Sequence, residues 1–253
     1  MTWLQLVALA GIGVFAGAVN TVAGGGSLIT IPALIFFGLP ASMANATNRI
    51  GVILQSAIAT WQFDRAGRLD RQGSLAIAIP VCLGALAGSF LSIDIDEQLF
   101  KRIIGVAMLI MLVILLVKPG RWLGRPDAAI RRDTRAFRLG QILGFFAIGV
   151  YGGFLQAGVG IFLLGALVLL AGRDLVTANA VKSLLVALFT VPAVIVFQVN
   201  GLVAWQPGLA LAVGSGLGGW LGSKLTVSWG PAFVRWVLVV VVAISSARLL
   251  GLW

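Results

Sequence analysis

Two glycine-centred runs, Asn20-Thr-Val-Ala-Gly-Gly-Gly-Ser27 and Gln156-Ala-Gly-Val-Gly160, interrupt apolar segments of this chain. A second pair of motifs follows them: Ala44-Asn45-Ala46-Thr47-Asn48-Arg49 and Ala178-Asn179-Ala180-Val181-Lys182-Ser183. Together they offer backbone N–H groups uncovered by side chains, hydroxyls, amides and two cations. A helix that begins just after a glycine break also points a partial positive charge back at the break. This is a donor-rich, net positive set, suited to gripping an oxyanion. The candidate substrate-binding residues are Asn20, Thr21, Gly24, Gly25, Gly26, Ser27, Asn45, Asn48, Arg49, Gln156, Gly158, Gly160, Asn179, Lys182 and Ser183.

What is missing narrows the chemistry. There is no histidine, one cysteine and four methionines, so a transition metal has no ligands to use and no cofactor is implied. All eight acidic residues (Asp64, Asp70, Asp94, Asp96, Glu97, Asp127, Asp133 and Asp174) fall at segment ends or in loops. No carboxylate sits deep in an apolar segment to hold a cation or relay protons. The first glycine run is not a P-loop, because no Gly-Lys-Ser/Thr follows it. An enzyme acting through the single Cys82 would lack a base and a metal, and the packing reading of Cys82 is preferred.

The elements that must position these residues belong to a membrane. The 253 residues are 60% hydrophobic and only 10% charged, with a mean hydropathy of +1.06. A soluble domain carries about a quarter charged residues. Several windows exceed the roughly 18 apolar residues of a spanning helix. The first segment lacks a basic leader and a cleavage site, so it reads as a retained helix. The net charge of +10 lies in loops flanking the apolar segments, without an aromatic RNA-binding motif. Orientation in a bilayer explains it better than nucleic acid does.

Sliding the sequence against itself at an offset of 134 lays Thr21–Lys118 on Leu155–Leu252 with 25 identities and no gap. They cluster at Ala23-Gly24-x-Gly26, Ala44-Asn45-Ala46 and Leu83-Gly84-x-x-x-Gly88-Ser89. Shared apolar composition alone scatters its matches. The chain therefore divides into a first membrane repeat at 1–118, a basic linker at 119–134 and a second repeat at 135–253. Five apolar segments are predicted in each: 4–20, 27–38, 45–63, 73–92 and 98–117, then 139–155, 160–172, 177–198, 207–223 and 231–250. The second segment of each half is only half a bilayer long. It is expected to fold back on the first as a re-entrant or broken hairpin tipped by the glycines, although Pro32 blurs where it starts.

Charge sorts the loops. Arg65, Arg68 and Arg71, seven basic residues around the linker (Lys118, Arg121, Arg125, Arg131, Arg132, Arg135 and Arg138), and Arg173, Lys224 and Arg235 make thirteen on one side. Lys101, Arg102 and Arg248 fall on the other side, with Asp94, Asp96 and Glu97, while Arg49 and Lys182 lie within the membrane region. Loop 64–72 is basic, and its counterpart 198–206 is uncharged. Two halves of opposite insertion follow: an all-α polytopic protein of two inverted repeats, each a hairpin plus three transmembrane helices, with both termini outside. Gly84-x-x-x-Gly88 and Gly214-x-x-x-Gly218-x-x-x-Gly222 let helices approach closely, within the chain in the preferred reading and at a homodimer face in the alternative.

On α-helical spacing Asn45, Asn48, Arg49, Gln55 and Gln62 form one stripe, and Asn179, Lys182, Ser183 and Thr190 another. Polar stripes on membrane helices face protein or a water-filled path. Arg49 and Lys182 have two readings, as countercharge for a substrate or as groups that cap carbonyls or reach the nearer surface.

The run Asn20-Thr-Val-Ala-Gly-Gly-Gly-Ser-Leu-Ile-Thr-Ile-Pro-Ala-Leu, with Gly38-Leu-Pro and Ala44-Asn-Ala-Thr-Asn, resembles the TauE/SafE-type sulfite exporter family of permeases. Tyr151-Gly-Gly-Phe-Leu-Gln-Ala-Gly-Val-Gly and Ala178-Asn-Ala-Val-Lys-Ser resemble that family's second half. The resemblance covers nearly the whole chain. It implies a bacterial inner-membrane protein that moves sulfite, thiosulfate or an organosulfonate such as sulfoacetate, with the lipid bilayer and the small anion as its partners. An anion channel with the same site but no sealed gate is the nearest rival. A membrane-embedded sulfur-handling enzyme and a scaffold without substrate rank behind it.

Overall fold

The computed structural model describes residues 1–116 and 135–226, all of its regular structure helical. The whole linker at 119–134 and the predicted segment 231–250 lie outside the described residues. The helices are α1 (Trp3–Ala23), α2 (Ser27–Phe36), α3 (Ala41–Arg65), α4 (Arg71–Leu91), α5 (Glu97–Leu116), α6 (Arg135–Phe154), α7 (Val159–Leu169), α8 (Leu175–Val199) and α9 (Trp205–Leu225). Three of them, α1, α4 and α8, are long and apolar enough to cross a membrane by length and composition.

Local chemistry sets the ends. Thr2 and Gln5 form a reciprocal capping box at the start of α1. Asp70 accepts the Gly73 N–H at the start of α4, and Asp174 accepts from Val176 and Thr177 at the start of α8. The first turn of α3, which follows Pro40, is capped from a distance by the Glu97 carboxylate, which accepts from the Ala41 and Ser42 backbones and from Ser42 Oγ. Each carboxylate sits where the helix dipole favours negative charge. Pro32 lies inside α2, not in its first turn.

The repeat is visible in the backbone. Adding 134 to the bounds of α3 and α4 (41–65 and 71–91) gives 175–199 and 205–225, the bounds of α8 and α9. The glycines with positive φ pair at the same spacing: Gly24 with Gly158, Gly38 with Gly172 and Gly67 with Gly201. Helix contacts follow suit, since α1 packs on α9 as α6 packs on α4.

Glycines make those two contacts possible. Methyl groups added at Gly84 and Gly88 would strike the α6 backbone at Phe146 and Val150, and at Gly214 and Gly218 the α1 backbone at Ala10 and Val14. The small-residue ridges are thus occupied within the chain, as the preferred sequence reading expects.

The hairpins are also present. Ile29 of α2 returns against Ala16 and Val19 of α1. On α7, Phe162 meets Tyr151, and Leu170 just beyond the helix accepts a hydrogen bond from Gln141 of α6. Between the hairpins α3 and α8 run antiparallel, with Ala46 against Ala193 and Phe197 and, farther along, Ala59 and Phe63 against Ala180.

The bundle has two distinct ends. At one, Arg173 pairs with Asp70, Arg71 pairs with Asp64 at 2.6 Å, and Arg65 and Lys224 lie over Trp61 and Trp220. At the other, Glu97 caps α3, and the Ala204 N–H donates to Thr47 Oγ1 at 3.0 Å. Basic loop 64–72 and Arg173 therefore share one end, opposite the acidic 94–97 loop and uncharged 198–206. Exposed apolar side chains repeat at helical spacing, as in Leu75, Ile79 and Leu83 on α4 and Leu209, Val213 and Leu217 on α9. Such a surface fits lipid rather than water.

Candidate functional site

The tips of the two hairpins meet. Gly24 ends α1 in the left-handed conformation at φ 80°, and Gly158 precedes α7 at φ 73°. A methyl group on Gly160 would sit 2.6 Å from the Gly24 Cα and 2.8 Å from its carbonyl oxygen. Only glycine allows both the backbone angle at Gly24 and this approach.

Each tip is braced by the third helix of the other half. Arg49 on α3 is fully buried and donates to the carbonyls of Gly152 (3.0 Å) and Gly153 (2.6 Å) at the end of α6, and to Gln156 Oε1 at 2.7 Å. Its guanidinium lies 4.7 Å above the Phe197 ring. Asn45 donates to Phe154 O and accepts the Gln156 N–H. In reciprocal fashion Lys182 on α8 donates to Asn20 O and Thr21 O, both at 3.0 Å, and to Asn179 Oδ1 at 2.7 Å. Carbonyls in the last turn of a helix carry the negative end of the dipole, so these cations are partly balanced without a carboxylate.

A small polar cavity lies beside the meeting point. Asn20, Ser27, Gln55 and Ser56 line it from the first half, and Gln156, Val159, Gly160, Lys182, Ser183 and Val186 from the second. In this conformation it has room for about one water-sized particle.

Six of the sequence-selected residues therefore face one space. Others support it: Thr21 accepts from Gln55 Nε2 at 2.8 Å, and the Gly26 N–H donates to Asn20 Oδ1. Gly25 accepts from Leu28 in the first turn of the returning helix, and Gly158 abuts Met111 of α5. Asn48 donates to Ser27 Oγ at 3.0 Å and lines a neighbouring cavity. Arg49 and Asn179 lie behind the cavity wall, holding its frame.

Reasoning from sequence left out Gln55, Ser56, Val159 and Val186. Gln55 was legible as part of the α3 stripe, and Ser56 falls on Thr190 in the repeat. The two valines carry no sequence signal of their own.

Residues 9–249 match the sequence pattern of the family described as "Sulfite exporter TauE/SafE". The chain belongs to this family. It is similar to the probable membrane transporter protein YfcA of Escherichia coli strain K12, with 31% identity over 242 residues covering 94% of this chain and 87% of that protein. A probable membrane transporter protein of a Sinorhizobium species, ORF9, shares 30% over 236 residues, covering 93% and 88%. YunE of Bacillus subtilis, also a probable membrane transporter protein, shares 21% over 267 residues, covering 98% of both. No solved structure matches. Both the family and these relatives are membrane transporters by name, which places this chain among transporters rather than enzymes.

Proposed function

We propose that this protein carries a small sulfur-containing oxyanion, such as sulfite, thiosulfate or an organosulfonate, across the bacterial inner membrane by alternating access. The observation that carries this reading is the contact of the Gly24 and Gly160 backbones beside a polar cavity that holds Lys182. Broken helices that meet between repeats are where carriers place their substrates. The cavity has one cation and no carboxylate among its lining residues, which suits an anion.

Antiparallel α3 and α8, helices that fall on each other in the repeat, support opposite insertion of the two halves. By the positive-inside rule the end with Arg65, Arg68, Arg71, Arg173 and Lys224 is cytoplasmic, and the chain starts outside. The basic linker at 119–134 joins the halves on the cytoplasmic side in this reading. Rocking of one half on the other opens the cavity to each side in turn, enlarging a space that is small here.

Lys182 supplies the countercharge and can shift from the α1 carbonyls toward the anion. Arg49 acts as a brace. The test is flux of sulfite, thiosulfate, sulfoacetate and sulfate in proteoliposomes. Saturable flux of a sulfur anion with counterflow from preloaded vesicles is expected. Non-saturating flux without counterflow would identify a channel, and no flux of any of these anions would end the proposal.

A further inference from the structure

A second cavity adjoins the first and shares Asn20, Ser27 and Gln55 with it. Its other polar lining comes from Thr30, Asn48 and Ser215. The repeat shows that the fold does not require four of these polar groups. At the 134-residue offset Ser27 falls on Ile161, Thr30 on Leu164, Gln55 on Phe189, and Ser215 on Val81. Val81 of the first half packs with Leu164 and Phe189 of the second in one hydrophobic cluster. At these four places the matching position, built from α7, α8 and α4, carries aliphatic and aromatic groups, while the cavity itself, built from α2, α3 and α9, has hydroxyls and an amide. Burying polar groups is costly unless they are satisfied, and here they bond one another, Asn20 to Gln55, Thr30 to Asn48 and Asn48 to Ser27.

The chemistry of the lining selects the occupant. Among the described residues it contains no titratable side chain to hold a proton and no carboxylate to suit a divalent cation. Like the first cavity it has room for a water-sized particle, but no cationic side chain among the described residues lines it, so it does not suit an oxyanion. It is rich in neutral oxygen. Ser27 Oγ accepts from Asn48, and Asn48 Oδ1 accepts from Thr30, so each keeps a lone pair. The lining includes Asn20 in the last turn of the broken helix α1, the kind of end that coordinates sodium in carriers.

We propose that this second cavity binds one sodium ion, which couples to the anion across the wall formed by Asn20, Ser27 and Gln55. Opposite charges on the two faces of one wall favour each other, and the coupling is reciprocal. Coupling rests on the transport reading above. Ion binding alone does not.

The test takes the purified full-length protein and compares sodium, potassium and choline chlorides at equal ionic strength. Sodium alone is expected to raise the melting temperature, and a sodium gradient to drive sulfite uptake in proteoliposomes. Thr30→Val and Ser215→Ala each remove one oxygen outside the anion cavity. Each is expected to raise the sodium concentration for half the melting shift by about tenfold. Equal melting temperatures in all three salts for the wild-type protein overturn the proposal and leave the cavity to water, whatever the variants do. Sulfite flux that ignores sodium overturns the coupling while leaving the transport reading intact.

Discussion

Lys182 Nζ sits 3.0 Å from the carbonyl oxygen of Asn20, so a cation of the second repeat closes the last turn of a helix of the first. Its three protons meet three acceptors: Asn20 O, Thr21 O and Asn179 Oδ1. The same ammonium borders the anion cavity. Lys182→Met is therefore expected to abolish sulfite transport and to cost about 1.5–3 kcal/mol, the range for a hydrogen bond to a charged group. Flux and thermal melting of the purified variant check both parts. Wild-type flux in this variant would remove Lys182 from the site.

Arg49 should behave differently, because its guanidinium is directed at the end of α6. Lysine at this place keeps the charge but lacks the planar fork by which Nη1 reaches Gly152 O and Gln156 Oε1 while Nη2 reaches Gly153 O. Arg49→Lys is expected to lower stability by about 2–4 kcal/mol. The sulfite affinity of the folded fraction should stay within about threefold of wild type. Melting curves and calorimetric titration separate the two effects. An unchanged melting temperature with lost affinity would return Arg49 to the role of countercharge.

These two residues also show what the sequence made legible. Pattern alone placed α3, α8 and both hairpins, because glycine breaks and matched asparagines survive in both halves at one offset. It singled out Arg49 and Lys182, because charges within apolar helices are conspicuous. It left two readings open for each, because one helix carries both the stripe that faces the cavity and the stripe that clamps the opposite hairpin. A one-residue difference in position, Arg49 against the Asn48–Lys182 pair, decides which is which. Only tertiary packing reveals that. The aliphatic walls Val159 and Val186 were invisible for the same reason, since an apolar residue in an apolar segment has no contrast.

Asp70 gives a pH test at the surface. The Gly73 backbone N–H, followed by Arg173, holds its carboxyl below the usual carboxylate range. A depressed carboxyl contributes stability above its unfolded value and loses it as pH falls through the folded one. The melting difference between wild type and Asp70→Asn should thus be constant near neutrality, shrink below about pH 4 and vanish at lower pH. It should be small, as for other partly exposed pairs. A difference that grows on acidification would contradict this assignment of the brace between the loops 66–70 and 170–174.

The contact of the two tips is the most exposed part of the transport reading, and two glycines on one helix test it. Gly160 stands in the first turn of α7, and its added methyl would meet the Gly24 backbone, which has no flexible end to move aside. Gly165 lies on the same helix with no described residue within 4 Å of such a methyl. Helix propensity favours alanine over glycine by about 0.5–1 kcal/mol at an interior position. Gly165→Ala should therefore be neutral or slightly stabilising. Gly160→Ala should push the tips apart and reduce sulfite flux by at least about tenfold, since the cavity walls belong to both hairpins. Comparing flux per folded molecule in the two variants removes differences in expression. If Gly160→Ala carried sulfite as well as Gly165→Ala does, the close approach of Gly24 and Gly160 would be a packing detail, and the substrate would have to be held elsewhere.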